Sequence, residues 1–457
     1  MINKSYLAFC LLLTSLVSAY GQGIKGVVKN SIGEPIEFAT IYIKELETGT
    51  TTNLEGDFQV SLLSGTYHLV FQHLGYKAEE KTVTIETTFL YLEIMLEPET
   101  IMLQTVVVSG KDEDPAYTIM RKAIAKAKYH RQQLNGFEVE AYVKGAGRLI
   151  DSPFFLRKEM AKEGIDSTTS YASETVSVIK YTRPNTYAEE VISVRSNGED
   201  YGTNPNSFIL GSFYDPKYVN AISPLSPKAF GYYKFEYLGT KQERGYEISK
   251  IKVTPRSRGD EVFWGVISIV EDVWSIQSTN LYMRNLGITF NVKQIYEPIE
   301  SLVWMPISHK FDVTGKVFGF KFEYQYLSAM GKYQLELNPD LAQEFEIIDE
   351  KIEKEIAKEL EEKPTDEIES TLASGGELTR KQFRKLINNY EKKERKTEKE
   401  PLVESSYSIK IDSLAKKSDS AYWAQIRPVP LTAHEIKGYH KIDSASIAEK
   451  KEAEGDT

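Results

Sequence analysis

Few residues of this chain stand at spacings that could do chemistry. His68 and His73 are five apart, an odd spacing that puts them on opposite faces of an extended strand, so they cannot close on one metal ion. His434, Glu435 and His440 invite comparison with a zinc helix, but positions i and i+6 lie about 240° apart around a helix axis. The carboxylate pairs Glu189-Glu190 and Glu271-Asp272 fall in alternating segments, where neighbours point opposite ways and cannot converge on one substrate bond. Both pairs are expected to be solvated charges. There is no Gly-x-Ser-x-Gly elbow, phosphate loop, dinucleotide glycine motif or His-Glu-x-x-His. No catalytic, cofactor-binding or metal-ligating residue is therefore assigned, no cofactor is expected, and the chain reads as a non-enzyme.

The elements that would position a site come next. Residues 1–21 hold Lys4, an apolar run from Tyr6 and small residues at Ala19 and Gly21, the pattern of a secretory signal peptide. The sole cysteine, Cys10, lies in that run, so the exported chain would have no disulfide or thiolate ligand. No later apolar stretch reaches the roughly 20 residues of a spanning helix. The other 436 residues suffice for two or three domains at roughly 150 each. With 56 basic and 66 acidic side chains the net charge is −10, which supplies no global field for nucleic acid. Tyrosine is abundant at 28 residues, with 20 Phe, and favours half-buried strands.

Residues 22–97 show about seven short alternating segments parted by turn clusters such as Asn30 to Pro35 and Asn53 to Asp57, which predicts a small antiparallel β-sandwich. Gly33-Glu34-Pro35-Ile36, Ala39 to Ile43, Gly49 to Asn53, Gly56-Asp57-Phe58, Gly65-Thr66-Tyr67 and Gly75-Tyr76 resemble the carboxypeptidase regulatory-like, transthyretin-like domain. The resemblance implies a fold; it does not bring the two His and one Glu of a carboxypeptidase zinc site. Residues 98–113 read as a linker, and Leu103 to Gly110 is similar to the segment behind this domain in outer-membrane receptors of Bacteroidetes-type bacteria.

For residues 114–340 the pattern predicts a helix and a curved antiparallel sheet. Asp114-Pro115 is a helix start, and Ala116, Ile119, Met120, Ala123, Ile124 and Ala127 make one apolar stripe. Arg121, Lys122, Lys126, Lys128, His130 and Arg131 are expected on a solvated basic face. From Phe137 to Tyr326 about ten segments alternate with period two, with polar residues expected on the open face. Residues 197–228, rich in Gly, Pro and Asn, read as a long loop of the kind that forms lids. The strands resemble the half-barrel of periplasmic lipoprotein carriers, which implies an apolar cavity beside that loop lined by Val266 or Ile267 and Trp274 or Ile276.

Residues 341–400 form a charged, helical C-terminal segment by their apolar spacing, and residues 401–457 a tail. The tail motifs Asp419 to Trp423 and Arg427 to Thr432, with Leu134 to Phe137 and Tyr142 to Lys144, resemble the Bacteroidetes envelope family DUF5686. Members typically continue into an outer-membrane barrel; a chain ending at Thr457 is expected to be a barrel-less form or an interrupted gene. The fold class is thus mainly β, and the expected function is a non-enzymatic, periplasm-facing envelope protein handling an acyl chain, glycan or outer-membrane partner. A periplasmic hydrolase with a dispersed site and a remnant of a barrel protein are the alternatives.

Overall fold

The computed structural model describes residues 22–100, 114–162, 170–196, 206–257, 259, 261–300, 303–341 and 406–413, together with 415 and much of 422–439. The leader, most of the linker and the charged helical segment lie outside the described residues. The chain opens with β1 Gly23–Asn30, β2 Thr40–Ile43, β3 Thr48–Thr51, β4 Asp57–Ser61, β5 Gly65–Gln72, β6 Glu79–Ile85 and β7 Phe89–Leu96. Helix α1, Pro115–Gln132, leads into β8 Leu134–Asp151, α2 Arg157–Lys162, β9 Ser170–Thr182 and β10 Thr186–Ser196. Then come α3 Asn206–Ile209, β11 Lys217–Tyr218, β12 Ala221–Ile222 and α4 Ala229–Tyr232. A meander follows: β13 Tyr233–Glu243, β14 Tyr246–Pro255, β15 Phe263–Val270, β16 Ser275–Asn285, β17 Ile288–Ile299, β18 Val303–Val317 and β19 Phe320–Leu337. The last strand among the described residues is β20, Ser406–Ile411.

The first seven strands form the expected sandwich, sheets β4-β1-β7 and β3-β2-β5-β6 closing on Ile24, Ile41, Ile43, Phe58, Leu69 and Phe71. It departs from an all-antiparallel pattern because β1 and β7 pair in parallel. In β2 the residues between the core positions, Thr40 and Tyr42, are also buried. Tyr42 and Val70 leave the sandwich core and join the cluster of the larger sheet, so one face of the sandwich is an interface.

Among the described residues the large sheet has eleven strands in the order β13-β14-β15-β16-β17-β18-β19-β8-β9-β10-β20. It is antiparallel except where β20 joins β10 in parallel, a pairing that local alternation in the tail did not reveal. Bulges at 237/239, 268/269, 295/296 and 331/334 bend the strands. The apolar stripe of α1, Ala116, Ile119, Met120, Ala123 and Ala127, packs on one face of this sheet. Asp114 caps the helix by accepting the Ala116 N–H at 2.9 Å and also accepts the Tyr237 N–H of β13 at 3.1 Å, fixing where the helix enters.

Candidate functional site

The inner face of the sheet is where a ligand cavity was expected. Of the predicted lining positions, Ile267 and Ile276 do point inward and are fully buried, but what meets them is the chain itself. Of residues 197–228, read from sequence as a lid-like loop, those from 206 onward fold inward beside α1 and bury Ile209, Phe213, Tyr218 and Leu225 in the same core, where Tyr233 at the start of β13 joins them. Serine and tyrosine hydroxyls satisfy this irregular backbone and tie it to the sheet, the Ser212 hydroxyl accepting from Tyr214 N at 3.2 Å and that of Ser223 from Leu225 N at 3.1 Å. The Tyr214 hydroxyl accepts from Ile276 N at 2.9 Å, that of Tyr233 from Phe263 N at 3.1 Å, and that of Tyr218 from Gln294 Nε2 at 3.3 Å. Phe213 and Tyr218 stack at 4.1 Å between ring centres. Arg131 of α1 holds Asp215 of this insert at 2.7 Å.

One polar row runs across that buried face through Thr279, Gln294, His309 and Ser328, neighbours in register on successive strands. Burial pushes the His309 imidazole down to about 3, so it is neutral, with Nδ1 accepting from Gln294 at 3.1 Å and Nε2 facing Met330 Sδ at 3.1 Å. The amide of Gln294 and the thioether of Met330 thus fix the orientation of the ring within the core.

The second assembled region lies on the opposite face of β8, β9 and β19, expected to be open and polar. Instead Trp423 and Val429 of the tail bury Tyr142 and Leu327 there. Beneath them Glu174 of β9 is fully buried. Arg427 donates to it through Nε and Nη2, both at 2.6 Å, and the Tyr142 hydroxyl donates at 2.6 Å. Burial would raise the Glu174 carboxyl, but these hydrogen bonds and the Arg427 charge hold it below its ordinary value. Lys144 pairs with Glu435 at 2.8 Å, and Glu435 also accepts the Thr432 N–H at 2.8 Å. A mostly apolar cleft of about 40 Å³ remains between this tail, the sheet and the sandwich, lined by Phe38, Leu54, Tyr326, Leu327 and Val429, with the Lys310 ammonium 3.9 Å from the Phe38 ring centre.

The sandwich meets the sheet across a polar seam. Glu297 of β17, nearly inaccessible, accepts from Arg244 at 2.8 and 2.6 Å and from Gln72 of β5 at 2.8 Å. Lys241 and Lys250 flank Glu99, beside a cavity of about 20 Å³ lined by His73, Tyr76, Glu243 and Gln277. Backbone contact is direct: Lys332 N donates to Glu47 O at 2.9 Å, and a Cβ on Gly331 would stand 2.3 Å from Thr48 Oγ1.

The residues singled out from sequence are scattered. His68 is exposed and bonded to Glu45, while His73 faces the seam, its Nδ1 without a hydrogen-bond partner. Glu189 is not solvated as expected: β20 covers it and Tyr407 bonds it, whereas its neighbour Glu190 reaches Lys410 at 2.6 Å. Glu271 accepts from Ser249, and Asp272 is exposed in the following turn. His434 and His440 lie outside the described residues. The basic face of α1 is less open than expected, because Lys126 and His130 are buried and Lys122 sits 4.5 Å over the Trp274 ring. Burial lowers His130 to about 4. Among the described residues no three His, Cys, Asp or Glu side chains gather as a metal site, and no helix is long and apolar enough to cross a membrane. Glu174 and Glu297 were not singled out from sequence, and Arg427 was noted only as part of the tail motif Arg427 to Thr432; alternation in β9 puts Glu174 in phase with Val176, a hint that its face is covered.

Comparison with known proteins agrees with this division. Residues 24–108 match the CarboxypepD_reg-like domain model, and residues 119–333 match DUF5686, described as a family of unknown function. The TonB-dependent receptor SusC of Bacteroides thetaiotaomicron is 34% identical over 96 residues, 21% of this chain and 9% of the receptor. Carboxypeptidase Z of Gallus gallus is 38% identical over 64 residues, 14% of this chain and 10% of the enzyme, within the regulatory-like domain. The chain thus spans about a tenth of the length of the curated relatives it matches. Among solved structures, a LolA superfamily protein from Nitrosomonas europaea is 10% identical at a TM-score of 0.19, over 49% of this chain and 95% of that one. The Pseudomonas aeruginosa MucA/MucB complex gives 9% and 0.15, over 48% and 98%. Similarity at these TM-scores bears on neither ligand nor activity. By its two domain matches, the chain joins a CarboxypepD_reg-like β-domain at residues 24–108 to a DUF5686 region at residues 119–333.

Proposed function

We propose that this chain is a non-enzymatic protein of the cell envelope that binds or assembles a macromolecular partner through its outer surfaces, with the large sheet as a packed scaffold. The observation that carries this reading is the filled inner face: α1 and residues 206–235 occupy the space in which a carrier would hold an acyl chain. The clefts at the seams, about 20 and 40 Å³, fall well below the roughly 300–1,000 Å³ of small-molecule sites. A leader-like N-terminus and the 96-residue similarity to part of a TonB-dependent receptor support an exported, periplasm-facing setting. The partner would be an outer-membrane protein, a glycan or the membrane itself. Native mass spectrometry of protein purified from the envelope fraction tests the reading. The expected mass is that of the polypeptide alone; a lipid retained in one-to-one stoichiometry would restore the carrier model and overturn this one.

A further inference from the structure

Three loops meet at the end of the large sheet remote from the sandwich. Leu286-Gly287 joins β16 to β17, and Phe318-Gly319 joins β18 to β19. The loop 152–156 leaves β8, whose Asp151 is in register with Lys321 of β19. They are contiguous: a Cβ on Gly319 would lie 3.1 Å from Pro153, and one on Gly287 would lie 3.4 Å from the Lys316 carbonyl oxygen.

Both hairpins have two-residue turns with positive φ at each position, 49° and 85° in one and 50° and 87° in the other. Such turns favour Asn, Asp or Gly first, because a left-handed backbone crowds Cβ. Here that place is taken by a branched and an aromatic side chain, and neither recovers the cost by packing: Leu286 is 80% exposed and Phe318 93%. The hairpin at the opposite end, Arg244-Gly245, shows the contrast, since its Arg244 returns to bond Glu297. Beside the two tips, Phe154 and Phe155 are 82% and 67% exposed and touch each other edge to face.

The charge around these apolar tips departs from that of the chain. Residues 148–160, 284–289 and 314–323 contain six basic side chains, Arg148, Arg157, Lys158, Arg284, Lys316 and Lys321, against three acidic ones, Asp151, Glu159 and Glu323, an excess of three in a chain of net charge −10. Exposed Phe and Leu ringed by Lys and Arg match an anionic lipid interface, apolar groups entering the acyl boundary while cations meet headgroups.

We propose that this end of the sheet docks on an anionic membrane surface, with Leu286, Phe318, Phe154 and Phe155 inserted and Lys316, Lys321 and Arg284 against the headgroups. It rests on the surface-binding reading and names the membrane as the partner. The test is sedimentation of the full mature chain with phosphatidylglycerol/phosphatidylcholine vesicles and with phosphatidylcholine vesicles. Binding to the anionic vesicles is expected, weakening as salt rises. Leu286→Asn with Phe318→Asn suits the turn geometry, so the thermal midpoint should hold or rise while vesicle affinity falls roughly tenfold. Lys316→Gln and Lys321→Gln should each lower it about fivefold. Absence of wild-type binding, equal binding to neutral vesicles, or binding unchanged in the Asn variant with Phe154 and Phe155 also replaced by Ser would overturn the proposal. The surface-binding reading is decided separately, by the lipid content of the purified protein.

Discussion

Replacing Arg427 by Met would leave the Glu174 carboxylate buried beneath the tail with one hydrogen bond, from Tyr142, in place of three. Orphaning a buried charge costs about 3–5 kcal/mol where it cannot escape. Here it can escape by taking up a proton. Lifting an ordinary glutamate from its 4.5 to neutrality at pH 7 costs roughly 3.4 kcal/mol at about 1.36 per unit, which caps the loss. The same cap shrinks to about 0.7 kcal/mol at pH 5, so the variant should be about 3 kcal/mol less stable than wild type at pH 7 and much closer to it at pH 5. Hydrogen exchange at the Arg427 amide, which bonds Trp423 O at 2.9 Å, reports opening of the tail, and urea titration reports the whole. Glu174→Gln combined with Arg427→Met removes the orphan charge and should recover part of the loss. A cost under about 1 kcal/mol at pH 7, or one equal at both pH values, would refute the assignment of this pair as a buried clamp.

Other expectations follow from the same geometry. Phe58→Ala, which removes a ring 1% exposed and edge-on to Phe71 at 5.6 Å, should cost about 3–5 kcal/mol in a urea titration; a loss under about 1 would contradict its core position. Gly331→Val drives a side chain into Thr48 of β3 and should loosen the sandwich by about 1–3 kcal/mol, seen as earlier proteolysis between the two domains; unchanged proteolysis would dismiss the close approach as a constraint. His130 and His309 stay neutral in the fold, near 4 and 3, but charge below about 6.5 when unfolded. Stability should therefore fall as pH drops from 7 to 5, by about 2 kcal/mol per histidine, and His309→Gln should flatten the urea-midpoint profile; a flat wild-type profile would contradict the neutral assignment.

The sequence alone determined what depends on neighbours along the chain. Alternation placed the strands of the sandwich and the meander, Asp114-Pro115 placed the start of α1, and the absence of cysteine beyond Cys10 made packing the source of stability. Turn chemistry marked the sandwich turns Asn30 to Pro35 and Asn53 to Asp57, because φ preference is a property of one or two residues, whereas the Phe318-Gly319 tip lay inside an alternating stretch and was not marked. Only the tertiary structure decided which face each strand turned to which partner. The loop-like composition of residues 197–228 concealed a core insert from 206 onward, since Tyr214 within it and Tyr233 just after it, whose hydroxyls bond backbone groups across the sheet, help satisfy an irregular segment that would otherwise need water. Glu174 and Arg427 are 253 residues apart, and Gln72 and Glu297 are 225 apart. No local period carries information over such separations, so whether a strand's polar face stays open or is covered was settled by where the tail and the sandwich came to rest.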